Sequence, residues 1–387
     1  MDKLKIGVIG AGTMGSGIAQ VAATANHETF LFDADPGMIV KAKKGHVDTM
    51  SKLVEKGKIT RIEADQVLSR IKYASSPGEF SDCGLVIEAI VENLDIKQKL
   101  FNDIEKIVDK DCILATNTSS LSVTSIASIC NRPELVIGIH FFNPAPIMAL
   151  VEIVKGIATD PETEKKTKEI IDGMGKTTVL AKDTPGFIVN RIARPFYGES
   201  IRIYEEGIAD FATIDWAMKS HGFKMGPFEL MDLIGNDINY TVTETVWSQF
   251  FFDARYKPSL TQKRLFEARR FGRKSGQGYY NYAPGITVPV PKEDKVLGKK
   301  IFMRVLSMLI NEAADALYLG VASREDIDVA MTKGVNYPKG LLKWCDEIGA
   351  DKILSILNEL RDDYSEDRYR PSVLLKRMAK EKKKFYE

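Results

Sequence analysis

At 387 residues the chain is too long for one compact core, and 44% hydrophobic with 28% charged residues excludes a disordered or fibrous class. Lys+Arg 54 against Asp+Glu 53 leaves a net charge of +1, so no global field draws the chain to nucleic acid or an anionic membrane, and an anionic ligand must meet a local patch. Cys83, Cys112, Cys130 and Cys345 are scattered without a C-x-x-C pair, no apolar leader or membrane-length run is present, and no metal site is expected; a reducing cytoplasm is the expected compartment.

Lys3 to Ile9 reads as a buried strand ending in glycines, Met14 to Ala25 as a helix, and Thr29 to Phe32 as a second strand ending at Asp33. Pro36 to about Ile71 is helical and lysine-rich, the pattern of a helical hairpin outside the sheet. Leu85 to Ala89, Cys112 to Thr116 and Leu135 to His140 read as further strands, each preceded by a helical stretch, and Val151 to Val154 and Thr177 to Leu180 complete the strands, with a charged helix from Glu162 to Met174 between them. The alternation predicts an α/β Rossmann-type doubly wound sheet closing near residue 183. Beyond Asp183-Thr184-Pro185-Gly186 the pattern turns wholly helical and repeats: Arg191 to Asp215 aligns without gaps on Arg304 to Asp328, an offset of 113 residues. The expected division is a dinucleotide domain (1–183), a first helical domain (184–283), a proline-bearing linker (284–295) and a second, repeated all-α domain (296–387). The second copy has Met303 where the first has Asn190, and it lacks a recognisable equivalent of Gly272 to Tyr282, so it is expected to pack rather than react.

Gly10-Ala11-Gly12-Thr13-Met14-Gly15 follows a strand and opens a helix, the setting that gives a G-x-G-x-x-G match its meaning. Gly10 permits the tight turn, Gly12 lets backbone approach a pyrophosphate, and Gly15 lets helix and strand pack closely. Thr13 and Met14 lie at the helix N-terminus, where unpaired N–H groups face an anion. Asp33 at the end of the second strand suits a ribose 2′-hydroxyl and repels a 2′-phosphate, so NAD is expected over NADP. Oxidising a secondary alcohol needs a base, and an imidazole oriented by a carboxylate serves; among four histidines, His140 in HFFNP with Glu152 in LVEIV is the candidate pair. His27, His46 and His221 read as structural or solvated. On the helical hairpin Thr49 and Lys56 are seven residues apart and share one face, with Lys52 and Lys58 nearby.

GAGTMGSGIA from Gly10, VIEAIVENLDIK from Val86, TNTSSL from Thr116, HFFNP, LVEIV and DTPGFIVNRI from Asp183 occur in one order over residues 6–282, and in this the chain resembles the L-3-hydroxyacyl-CoA dehydrogenases. The repeated helical segment resembles the duplicated C-terminal module of longer members, including those fused to an enoyl-CoA hydratase. The resemblance implies reversible NAD-dependent oxidation of L-3-hydroxyacyl-CoA to 3-oxoacyl-CoA, in fatty-acid oxidation or a related four-carbon pathway. It makes His140 the general base and Glu152 its partner, and gives Ser119 the bond to the reacting oxygen. Asn143 and Asn190 become the amides positioning substrate and nicotinamide, and Glu92, Lys97 and Asn117 become cofactor contacts. Thr49 and Lys56 become the hydroxyl and ammonium that meet the phosphates of coenzyme A, and a serine more usually fills the place of Thr49. Shorter members dimerise through their helical domains, so a fused duplicate implies a monomer, or a dimer through another surface, with a separate hydratase as a partner to test. Two other readings stay open from the residues: an enzyme of free β-hydroxy acids, which relies on a lysine in the helical domain, and a nucleotide-binding scaffold without activity.

Overall fold

The computed structural model describes residues 4–386. The chain forms two compact units, one ending at Thr184 and the other beginning at Pro185. In the first unit one eight-stranded sheet runs β3-β2-β1-β4-β5-β6-β7-β8. Its strands are β1 (Lys5–Ile9), β2 (Glu28–Phe32), β3 (Ile71–Tyr73), β4 (Leu85–Glu88), β5 (Ile113–Thr116), β6 (Val136–Phe141), β7 (Leu150–Lys155) and β8 (Thr177–Lys182). The helices are α1 (Thr13–Thr24), α2 (Pro36–Glu55), α3 (Arg61–Arg70), α4 (Leu94–Ile104), α5 (Val123–Ala127) and α6 (Pro161–Gly173). Ile6, Val8, Leu31, Leu85, Ile87, Ile113, Ile137 and Ile139 bury the sheet against α1 and α6, giving the near-continuous apolar strands of a sheet covered on both faces.

Most expected elements are present, and three differ. The strand expected from Lys3 begins at Lys5, and Lys3 lies outside the described residues. The helical hairpin ends in a short edge strand, β3, which pairs with β2 where helix was expected to Ile71. A single 3-10 turn, Pro77–Phe80, precedes β4 in place of a helix. The hairpin is well punctuated. Asp35 caps α2 by accepting from the Gly37 N–H, with Pro36 in the first turn, and Thr60 with Glu63 forms a reciprocal capping box on α3. Met50, Ala64 and Val67 pack the hairpin against Ala23 of α1.

The pairing of β6 with β7 is antiparallel, the one such pair among these strands. Residues 142–149 connect them, too short for the crossover that parallel strands need. Because β7 runs antiparallel, Glu152 near its start lies opposite His140, at the carboxyl edge of the parallel strands.

The second unit is helical and visibly duplicated. After α7 (Val189–Ile192), α8 (Arg194–Glu205), α9 (Phe211–Ser220), α10 (Pro227–Ile234), α11 (Asn236–Gln249) and α12 (Leu260–Glu267) come α13 (Lys295–Tyr318), α14 (Arg324–Gly334), α15 (Leu341–Ile348), α16 (Ala350–Tyr364) and α17 (Val373–Glu381). Helices α8 to α12 correspond in order to α13 to α17. Both copies lie within one compact unit and meet through reciprocal contacts. Arg191 Nε donates to Glu312 at 2.6 Å, and its equivalent Arg304 donates to Glu199, the equivalent of Glu312, at 2.6 Å. Tyr256 and Tyr369 repeat the exchange, their hydroxyls donating to Glu312 at 2.5 Å and Glu199 at 2.7 Å. Residue i meeting j while j meets i is the pattern of a two-fold interface.

The duplication reaches further than the sequence suggested. Asp232 accepts from the N–H groups of Tyr279 and Tyr280 at 3.0 and 2.9 Å, and its equivalent Asp346 accepts from those of Phe385 and Tyr386 at 2.8 Å each. The second copy thus keeps a counterpart of the closing aromatic pair, joined without the intervening loop, which corrects the expectation that nothing matches Gly272 to Tyr282. Among the described residues no helix is long and apolar enough to cross a membrane.

Candidate active site

The register of the sheet assembles the site. Strands β1, β4, β5 and β6 are parallel neighbours, aligning Ile9 with Glu88, Glu88 with Thr116 and Thr116 with Gly138. Gly10, Glu88, the 116–120 segment and His140 therefore share the carboxyl edge, where open α/β sheets bind ligands.

The glycine loop has the shape a dinucleotide requires. Gly10 has φ +101°, and a Cβ there would lie 2.5 Å from the Ala89 carbonyl oxygen. A Cβ on Gly15 would lie 1.8 Å from the Gly10 carbonyl oxygen, so α1 packs as closely as a glycine allows. On Gly12 a Cβ would meet nothing within 4 Å: the protein leaves room at that one position. Helix α1 starts at Thr13 with Gly12 as its cap, directing the first N–H groups to the same side. Asp33 Oδ2 accepts from the Ala11 N–H at 2.7 Å and Oδ1 from the Asp35 N–H at 2.9 Å, so the acid also braces the loop. These features fit NAD.

His140 and Glu152 face each other across the antiparallel pair. Nδ1 of His140 lies 2.6 Å from Oε2 of Glu152, with the two residues 6% and 0% exposed. Directly opposed side chains of such a pair lie on one face of the sheet, which makes this contact a property of the strand register. The ring of Phe142 lies 4.5 Å from that of His140, centroid to centroid. The 142–149 segment is tied down by Lys176 Nζ, which donates to the Ala145 and Met148 carbonyls at 2.5 and 2.8 Å. It also packs on α1, where a Cβ on Gly17 would lie 3.1 Å from Pro146. Asn117 Oδ1 accepts the Phe141 N–H at 2.9 Å, joining the end of β5 to the residue after His140.

Beside Ser119 lies a partly buried ion network. Lys97 Nζ, on α4, donates to Glu88 Oε1 at 2.5 Å and lies 3.2 Å from Glu92 Oε2. Glu88 also accepts from the Ile90 N–H at 2.7 Å and Thr116 Oγ1 at 2.8 Å. Oε1 of Glu92 gathers the next segment, accepting from Thr118 Oγ1 at 2.6 Å, Ser119 N–H at 3.0 Å and Ser120 N–H at 3.2 Å. Burial opposes ionisation of Glu92, but the Lys97 ammonium and these donors hold its carboxyl below the usual range. Glu88 and Lys176 were missed from sequence. The acid in Val86-Ile87-Glu88 is the only signal, because it ends an otherwise apolar strand.

The other expected residues lie on separate elements. Asn143 is exposed on the 142–149 segment. Thr49 is exposed on α2, and Lys56 is exposed at its C-cap, where the helix dipole disfavours an anion and the ammonium must supply the attraction. Asn190 lies in the helical unit on α7, its carbonyl accepting from Arg194 Nε at 2.8 Å. His46 is structural: its ring bridges Ser16 and Tyr73, each at 2.9 Å. Among the described residues no group of three or more His, Cys, Asp or Glu is placed to hold a metal ion.

Comparison with known proteins gives consistent matches along the chain. The profile described as "3-hydroxyacyl-CoA dehydrogenase, NAD binding domain" matches residues 5–184, and "3-hydroxyacyl-CoA dehydrogenase, C-terminal domain" matches residues 186–282 and 301–385. The 3-hydroxyadipyl-CoA dehydrogenase of Escherichia coli strain K12 is 36% identical, covering 97% of each chain. A probable 3-hydroxybutyryl-CoA dehydrogenase of Deinococcus radiodurans is 42% identical over 72% of this chain and 100% of its own. The crystal structure of an Escherichia coli 3-hydroxybutyryl-CoA dehydrogenase superimposes with a TM-score of 0.93 at 35% identity, covering 98% of each chain.

Proposed function

The chain belongs to the 3-hydroxyacyl-CoA dehydrogenase family and is an NAD-dependent oxidoreductase, and from that premise we propose that His140 is the general base of the reaction, oriented by Glu152. The 2.6 Å contact between His140 Nδ1 and a fully buried carboxylate carries this reading. A carboxylate on Nδ1 holds the proton there and assigns Nε2 to the substrate hydroxyl at C3. As Nε2 takes that proton the ring becomes an imidazolium, and Glu152 stabilises the new charge without taking the proton itself. Bound NAD supplies the acceptor for the C3 hydride. Gly10, Gly12, Thr13, Met14 and Gly15 hold its pyrophosphate and Asp33 its ribose. Ser119 bonds the reacting oxygen, on a segment that Glu92 and Lys97 fix, and Asn117 holds the end of β6. Asn143 and Asn190 position the nicotinamide and substrate. Thr49 and Lys56 meet the coenzyme A phosphates.

The helical unit is two modules, 184–283 and 296–387, of which the second packs and the first carries Asn190. The reciprocal Arg191–Glu312 and Arg304–Glu199 pairs support a chain that covers its own two-fold face and stays monomeric. Four unpaired thiols support a reducing cytoplasm, and a separate hydratase is a partner within this reading. Turnover of 3-hydroxybutyryl-CoA, its free acid and longer 3-hydroxyacyl-CoA esters, with NAD and NADP compared, tests the assignment. The ester with NAD should lead; preference for the free acid would overturn it.

A further inference from the structure

The pseudo-two-fold of the helical unit is broken at several positions, and two of the breaks add positive charge around the same cavity. Arg202 stands where the second copy has Asp315, and Arg194 where it has Ser307. On one side of the two-fold the charges balance: Arg191 and Arg255 meet Glu312 and Asp315 at 2.6–3.1 Å. On the other, Arg304 takes Glu199 and Glu206, and Arg368 keeps only Glu366 at 3.3 Å. Arg194, Arg202, Arg255 and Arg368 all line one cavity of ≈ 10 Å³, together with Glu199.

The four arginine residues are 7, 9, 6 and 8% exposed. Arg194 donates to the Asn190 carbonyl at 2.8 Å and Thr243 Oγ1 at 3.0 Å, and lies 5.0 Å from the Tyr197 ring centroid. Arg202 donates to the Lys257 carbonyl at 3.0 Å. Among the described residues neither has a carboxylate within 4.0 Å, whereas every other arginine lining the cavity has one. The Nε–H groups of Arg255 and Arg368 are buried without an acceptor. Glu199 is already engaged by Arg304 and Tyr369. A guanidinium does not shed its proton, and a buried charge without a counter-charge is heavily penalised.

We propose that this cavity binds a small monovalent anion of the size and charge of chloride, between Arg194 and Arg202 and within reach of the Nε–H groups of Arg255 and Arg368. Room for about one water-sized particle favours a small ion over phosphate or a carboxylate ligand. The anion restores the balance that Asp315 provides on the other side and, through the Arg194–Asn190 bond, steadies the turn that carries Asn190.

The test uses the full chain in buffer where gluconate replaces chloride at constant ionic strength, followed by titration with chloride or bromide. The unfolding midpoint should rise saturably, by roughly 3–6 °C. Arg202→Asp, which restores the acid of the second copy, should abolish the rise. A midpoint indifferent to chloride, or the same rise in Arg202→Asp, overturns the proposal. Should that variant not fold, bromide-soaked crystals of the unaltered chain decide. An anomalous peak in contact with Arg194 and Arg202 supports the site; a water there, or bromide only at the surface, overturns it.

Discussion

Replacing Glu152 by Gln removes one charge from a fully buried position while keeping the side chain's shape. Its carboxylate lies 2.6 Å from His140 Nδ1, and both residues are shielded from water. At the effective dielectric of a protein site, two unit charges near this separation interact by about 4 kcal/mol, which stabilises the imidazolium as it forms. Losing that term slows proton removal by about a thousandfold. An amide adds a second penalty, because its NH2 donates to Nδ1 and leaves the proton on Nε2, the nitrogen that must accept. The comparable amide substitution in the serine protease triad costs about 10⁴ in kcat. We expect Glu152→Gln to lose 10³–10⁴ in kcat for 3-hydroxybutyryl-CoA oxidation, followed by NADH formation, on the order given by those two effects. The NAD dissociation constant and the unfolding midpoint should stay near those of the unaltered chain. A folded variant whose kcat falls by less than about tenfold would refute the reasoning, since neither the charge nor the tautomer would then control the rate.

Three further outcomes follow from the same coordinates. Gly12→Ala should fold normally, because its Cβ meets no protein atom, yet weaken NAD binding by about tenfold or more; Gly15→Ala should fail to fold stably, and equilibrium binding with thermal melts separates the two. Lys97→Met should strand Glu88 in the interior and cost about 3–5 kcal/mol in denaturant titration, with a large part recovered when Glu88→Gln is added. Burial pushes the Asp215 carboxyl up to about 7, against the pull of the Tyr280 hydroxyl and the Phe228 and Glu229 N–H groups. The folded state then holds a proton between about pH 4 and 7 that the unfolded state has released. That contribution to stability is lost as pH rises through about 7, so melts from pH 5 to 8 should show a decline that Asp215→Asn flattens.

The dinucleotide half was legible because its signals are local. Gly10 and Gly15 each answer a backbone requirement that no other residue meets, Gly12 leaves room for a ligand, and apolar runs bounded by turns mark strands wherever both faces are covered. The edge strand Ile71–Tyr73 was not legible: three residues carry no periodicity, and only pairing with β2 makes them a strand. The antiparallel turn of β7 was written in the shortness of residues 142–149, which holds no crossover helix. Glu88 was missed because a buried acid reveals itself only through partners, and Lys97 and Thr116 come from separate elements. The repeat was clear where the offset was constant; its end was hidden because Phe385–Tyr386 follow α17 without the loop that precedes Tyr279–Tyr280. Arg202 opposite Asp315 was visible in the alignment of the copies, but a charge swap gains meaning only once the two-fold contacts are known.

Proton removal by His140 is the step on which the proposed chemistry depends, and His140→Gln measures it most directly. With NAD and 3-hydroxybutyryl-CoA both saturating, the rate of NADH formation should fall by at least about 10³-fold while NAD binding is retained. NADH formation within about twofold of the unaltered chain would contradict it and move the base elsewhere.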